Sequence, residues 1–249
     1  MNVSMISNIA ALELKRLFAS PLAWCVMAVV QLILGLVFIS ALLEFAENRP
    51  YMQEGIGVSD VVAGSLYGVA SIIYLLVLPL LTMRLFSEER RSGSLDLLLS
   101  SPARLTEIVL GKYFGLLAFI AMMLLLISLM PLSLRIGTPI DLGRIAAAAL
   151  GLFLLLMAFA AAGMFMSVLT SQPTVAAVST FGLLLGLWLI NMWGFKDGML
   201  SNVLAYLSLI SHYDGLIRGV FKLSDVIYYL LFSALFVGLT IQRLDLERR

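Results

Sequence analysis

IAAAALGLFLLLMAFAAAGMFMSVL, residues Ile145–Leu169, runs for 25 positions without one ionisable side chain. At a rise of about 1.5 Å per residue, some 20 helical residues cross the roughly 30 Å hydrocarbon core of a bilayer. The run has no polar face to offer water, so its natural solvent is lipid. Similar stretches lie on both sides of it: Leu22–Leu43, Val61–Met83, Tyr113–Leu134, Thr174–Phe195 and the shorter Val226–Gln242. None alternates polar and apolar residues as a membrane β-strand does, which excludes a closed barrel. The expected fold is an all-α integral membrane protein with six transmembrane helices.

Composition agrees. The 249 residues are 61% hydrophobic and 12% charged, with a mean hydropathy of +1.04. A soluble domain carries about twice that share of charge, roughly 25%. One cysteine, seven prolines and no glycine period also exclude disulfide-framework, collagen-like and disordered classes. A net charge of +1 gives no basic surface for nucleic acid. Cys25 lies inside an apolar run, where it reads as a buried small hydrophobe. The first run is too long for the apolar part of a signal peptide, so it is read as a span.

Six spans put both termini on one side. That side then holds Lys15, Arg16, Arg84, Arg90, Arg91, Arg104, Lys112, Arg243, Arg248 and Arg249. The other holds Arg49, Arg135, Arg144, Lys196, Arg218 and Lys222. Ten cations against six place both termini in the cytoplasm under the positive-inside rule. The outer loops are then 44–60, 135–144 and 196–225, and the inner ones 84–112 and 170–173. No loop reaches the ~50 residues of a folded domain, so residues 1–249 form a single membrane domain. Within the last outer loop Met199–Ile210 is apolar but too short to span, as a re-entrant or interfacial helix would be. Leu14, Leu17, Phe18 and Pro21 share one helical side; this segment is either an interfacial helix or the charged flank of span one.

Chemistry is sparse. There is no GxxxxGK[ST], since Gly111-Lys112 is followed by Tyr113, so the chain is not its own ATPase. Zinc, EF-hand and paired-cysteine patterns are missing as well, and no resident cofactor or metal is expected. No carboxylate lies within a span, which argues against a proton relay or an intramembrane enzyme. His212, the one histidine, reads as an interfacial side chain beside a polar neighbour, and Asp214 and Arg218 as an exposed i,i+4 pair. Gln31, Ser71, Ser128 and Asn191 are expected to bond across helices. Gly64/Gly68, Gly111/Gly115 and Gly182/Gly186 are small-xxx-small pairs that serve either packing within the chain or a dimer seam. Pro79 predicts a kink, and Trp188 and Trp193 an interfacial belt.

All 31 charged residues lie outside the six spans, and nine fall in the inner loop 84–112. There Glu88-Glu89-Arg90-Arg91 reads as a solvated cluster, and Gly93 permits a turn. Leu95, Leu98 and Leu99 form an i, i+3, i+4 stripe on a short helix. Ser101 and Pro102 can start the next helix. The stripe is either a generic amphipathic helix resting on lipid or an apolar knob that docks in a partner's groove.

The stretch SEERRSGSLDLLLSSPARLTEIVLGKYFG, residues 87–115, resembles the signature of ABC-2 type permeases, the membrane subunits of one class of ATP-binding-cassette transporters. The segment SHYDGLIRGVFKLSDVIYYLLFSALFVGLTIQRLDLE, residues 211–247, is similar to the gliding-motility-type branch, with a nitrous-oxide-reductase-maturation branch close by. The resemblance implies a permease dimer in the bacterial cytoplasmic membrane, working with two cytoplasmic ATPase subunits that bind the ATP and Mg. It further implies an export or force-transmitting activity without catalysis by this chain, and a large extracytoplasmic accessory subunit. The loop between spans two and three would couple to the ATPase through Glu88, Glu89, Arg90, Gly93, Leu95, Leu98, Leu99 and Pro102. A membrane anchor or assembly scaffold without transport shares all of these features.

Overall fold

A computed structural model describes residues 2–48, 57–95, 100, 103–136, 138, 140–190 and 208–248. Among these the regular structure is entirely helical. The helices are α1 (Val3–Ala19), α2 (Pro21–Asn48), α3 (Val58–Thr82), α4 (Ser87–Ser92) and α5 (Leu105–Ser133). They continue with α6 (Leu142–Leu169), α7 (Pro173–Leu189), α8 (Leu209–Ile217) and α9 (Leu223–Arg248). Among the described residues five stretches are long and apolar enough to cross a membrane: Pro21–Glu47, Val58–Ser92, Leu105–Ile136, Leu142–Leu169 and Leu223–Arg248. The sixth expected span, Thr174–Phe195, begins as α7, whose 17 described residues fall short of that length. Residues 191–207, with Asn191, Trp193 and most of Met199–Ile210, lie outside the described part.

Helix α6 is the axis of the bundle and packs against α3, α5, α7, α8 and α9. Leu154–Ala162 is buried throughout, a consequence of small side chains: Ala158 and Ala160–Ala162 let neighbouring helices approach on all sides. At Gly151 a Cβ would stand 2.7 Å from the Cβ of Leu216. Helix α2 is the opposite case. It buries only the stripe Ala23, Val30, Leu34 and Ala41 and turns Trp24, Val29, Leu32, Leu36 and Leu43 outward, as a helix with one face on protein and the other on lipid must. Cys25 is on the outward face and exposed, which corrects its reading as a buried hydrophobe.

The chain breaks helix at Ser20, whose backbone is extended, and Pro21 opens α2 with a φ suited to a first helical position. α1 is therefore a separate helix, and it lies along the first half of α5. A Cβ on Gly111 would be 2.6 Å from Ile9, and one on Gly115 would be 2.8 Å from the Ala10 carbonyl. Of the three expected small-xxx-small pairs, this one makes a close approach. Gly64, Gly68, Gly182 and Gly186 meet nothing within 4 Å. Gln31 Nε2 donates to the Met123 carbonyl across helices, and Tyr67 and Ser128 share a hydrogen bond, but Ser71 bonds within its own helix to Gly68. Helix α3 ends three residues after Pro79, where the chain turns into α4.

At the other end of the bundle, α8 tucks beneath the start of α9. His212 is 8% exposed, hydrogen-bonds Asp225 through Nδ1 at 2.8 Å and stacks on Tyr228 at 4.1 Å. It is buried where an interfacial position was expected, and its polar neighbour is Asp225, which the first turn of α9 brings over it. Tyr213 donates to the Tyr67 carbonyl and Tyr229 to that of Leu209. Asp214 and Arg218 make no ion pair, since α8 stops at Ile217 and Arg218 is already its cap.

Candidate coupling corner

The loop that the sequence singles out begins as a corner. After Thr82 the chain makes one tight turn, then one and a half turns of α4, and Gly93 ends that helix at φ +72°. That is a left-handed conformation that costs glycine little and a β-carbon much. The turn needs partners for its free N–H groups. Ser167, near the C-terminal end of α6, supplies them: its Oγ accepts from Phe86 N at 3.0 Å and Ser87 N at 3.1 Å. The same hydroxyl donates to the Met83 carbonyl at 2.9 Å.

Charge fastens the corner on its other sides. Lys112, from the second turn of α5, is 3% exposed. Its Nζ donates to the Leu85 carbonyl at 2.8 Å, pairs with Glu89 and stands 3.6 Å from Glu13 of α1. The ammonium also lies 4.9 Å from the centre of the Phe86 ring, a favourable cation–π position. Arg16 of α1 reaches Glu88 at 3.0 Å and Glu89 at 3.3 Å. Arg90 pairs with Glu247 in the last turn of α9, and Arg243 reaches the same carboxylate at 3.4 Å. Of the four charges read as a solvated cluster, Glu88 and Arg91 are exposed, while Glu89 and Arg90 are half-buried in ion pairs. Lys112 and Glu13 are buried and form a largely buried triad with the half-buried Glu89, whereas the Arg16–Glu88 pair is surface-exposed and contributes little.

Four helices therefore hold α4: α1 through Arg16, α5 through Lys112, α6 through Ser167 and α9 through Glu247. The start of α5 is secured in turn. Glu107 accepts from Arg104 N at 3.2 Å and from Asn2 N at 2.6 Å, which fixes the start of the described helix at Leu105; Ser101 and Pro102 lie outside the described residues.

Of the residues expected to meet an ATPase, Glu88 and Gly93 are exposed, and Glu89 and Arg90 are half-buried in the ion pairs above. Leu95 is 5% exposed and belongs to this chain's own core. Leu98, Leu99 and Pro102 lie outside the described residues. Glu13, Lys112, Ser167 and Glu247 were not singled out by the sequence. Lys112, Ser167 and Glu247 meet α4 or the turn before it from more than 20 positions away, and Glu13 meets Lys112 from 99; one sequence carries no signal for such pairings. Between the α3–α4 turn and the link from α6 to α7 lies an open cleft of about 740 Å³, lined by Arg84, Glu88, Arg90, Arg91, Gln172 and Thr174 among others.

Among the described residues no cluster of His, Cys, Asp or Glu could hold a metal ion. The arrangement stiffens one corner of the bundle. Among curated proteins nothing matches the chain. The family described as ABC-2 family transporter protein matches residues 7–244. Nearly the whole length of the chain, with its apolar helices and its charged corner, belongs to the ABC-2 transporter family.

Proposed function

We propose that this chain is the permease subunit of an ATP-binding-cassette transporter in a bacterial cytoplasmic membrane, with six spans and both termini in the cytoplasm. Two copies, or this chain and a related one, work with two separate ATPase subunits that bind the ATP and Mg and dock on the loop 84–112. Membership of the family implies association with ATP-binding subunits. The observation that carries the reading is the four-sided fastening of α4. A lever transmits force only if it is stiffer than what it moves, and α4 cannot shift without displacing α1, α5, α6 and α9. Leu95, turned into the core, anchors the loop, while the exposed Glu88 and Gly93 are available to the partner. Export of an apolar or amphipathic cargo, or force transmission to an extracytoplasmic accessory subunit as in the gliding-motility-type branch, both follow from such coupling.

Leu98→Asp tests the docking. The variant is expected to insert into the membrane normally and to lose its copurifying ATPase. Normal copurification would overturn the coupling assignment. Stimulation of ATPase activity by cargo in reconstituted vesicles separates a transporter from a scaffold.

A further inference from the structure

The cleft beside α4 contains charge that the coupling corner does not use. Of its lining, Glu88 is paired with Arg16 and Arg90 with Glu247. Arg84 and Arg91 are exposed, and neither has an ion-pair partner among the described residues. They leave about two uncompensated positive charges in a concave site. Gln172 and Thr174 add polar side chains on the facing wall, and Gln172 makes no capping bond to α7.

The position of the cleft identifies its occupant. Arg84 directly follows the apolar run that ends at Met83, and Thr174 opens the apolar run of α7. Both walls therefore stand where hydrocarbon gives way to water, at the depth of lipid headgroups. A basic pocket between transmembrane helices at that depth is the usual geometry for recognising an anionic headgroup. Guanidinium groups suit it further, because they bind phosphate through two parallel hydrogen bonds.

We propose that Arg84 and Arg91, with Gln172 and Thr174, form a binding site for the phosphate headgroup of an anionic membrane lipid. Arg84 and Arg91 belong to the loop proposed to dock the ATPases, though not to its eight named contact residues, and Glu88 and Arg90 of that set line the same cleft; lipid binding measured on the purified chain without ATPase therefore tests the site separately from that reading. A lipid held there would bridge the α3–α4 turn and the start of α7, the two walls of the cleft.

The test uses the full-length protein purified in an uncharged detergent, with native mass spectrometry and melting as readouts. Phosphatidylglycerol, phosphatidylcholine and soluble glycerol 3-phosphate are the probes. Phosphatidylglycerol is expected to stay bound and raise the melting temperature, while phosphatidylcholine does neither. The Arg84→Gln/Arg91→Gln variant should bind it about thirtyfold more weakly, at roughly fivefold per arginine. Gln172→Glu, which adds a repelling charge and removes no cation, should weaken binding in the same direction and serves if the double variant folds poorly. Arg135→Gln, at the other end of the bundle, should bind as the parent does. Equal phosphatidylglycerol binding in parent and variants overturns the site. Displacement of the lipid by equimolar glycerol 3-phosphate overturns the lipid assignment in favour of a soluble phosphate ligand.

Discussion

Replacing Lys112 by Met separates a buried ion pair from its packing. The substitution keeps most of the volume and the apolar stem of the side chain, and removes the charge. What remains is Glu13 with 8% and Glu89 with 16% of its side chain exposed, and a Leu85 carbonyl without its donor. Stranding one member of a buried pair costs about 3–5 kcal/mol. Arg16 stands 3.3 Å from Glu89 and 3.9 Å from Glu13, so it relieves part of the deficit and puts the expectation near the lower end, about 3 kcal/mol. At roughly 2–4 °C per kcal/mol for a chain of this length, melting should fall by about 6–12 °C. Differential scanning fluorimetry of the protein in detergent reads this directly. The decisive comparison is Lys112→Met with Glu13→Gln and Glu89→Gln added, which removes both stranded charges. It should recover at least half of the loss, since replacing all members of a buried ionic group is often near neutral. If Lys112→Met melts within 1–2 °C of the parent, or the triple variant is no better than the single, the buried-triad argument is wrong.

Two further outcomes follow from the same corner. Ser167→Ala leaves the Phe86 and Ser87 amides without an acceptor, a cost of about 1–3 kcal/mol for each buried group; hydrogen exchange at those two amides should accelerate while exchange in the middle of α6 stays slow. Gly115→Ala drives a Cβ into the Ala10 carbonyl and should cost about 1–3 kcal/mol in melting, whereas Gly64→Ala, with nothing within 4 Å, should be neutral or slightly stabilising through helix propensity.

The sequence makes the apolar helices legible because hydrophobic length is a local property. Ile145–Leu169 reads as a span from its own residues, and α6 covers it. It also shows that loop 84–112 is unusual and that Gly93 needs a turn. Partners escape it. Glu13 and Lys112 are 99 positions apart, and nothing local marks either as buried; Lys112 follows Gly111 and looks like any flanking cation. His212 misleads for a similar reason, since its burial depends on Asp225, which the turn after α8 brings back over the ring. Gly64/Gly68 and Gly111/Gly115 share one spacing and differ only in whether another helix lies opposite. Spacing alone carries no information on that point.

The bond between Arg90 and Glu247 spans 157 positions. At a synthesis rate of roughly 5–20 residues per second, Arg90 leaves the ribosome about 8–30 s before its carboxylate partner exists. Arg16 precedes α4 and Lys112 follows it by only about 20 positions, so the α1 and α5 contacts are available early in that interval. The corner therefore assembles in two stages: a provisional one set by α1, α3 and α5 and then by Ser167 of α6, and a final one when the last turn of α9 arrives. Until then the insertion machinery handles a chain with one arginine still unsatisfied, and any chain that stalls before Glu247 leaves that arginine exposed as a mark of incompleteness.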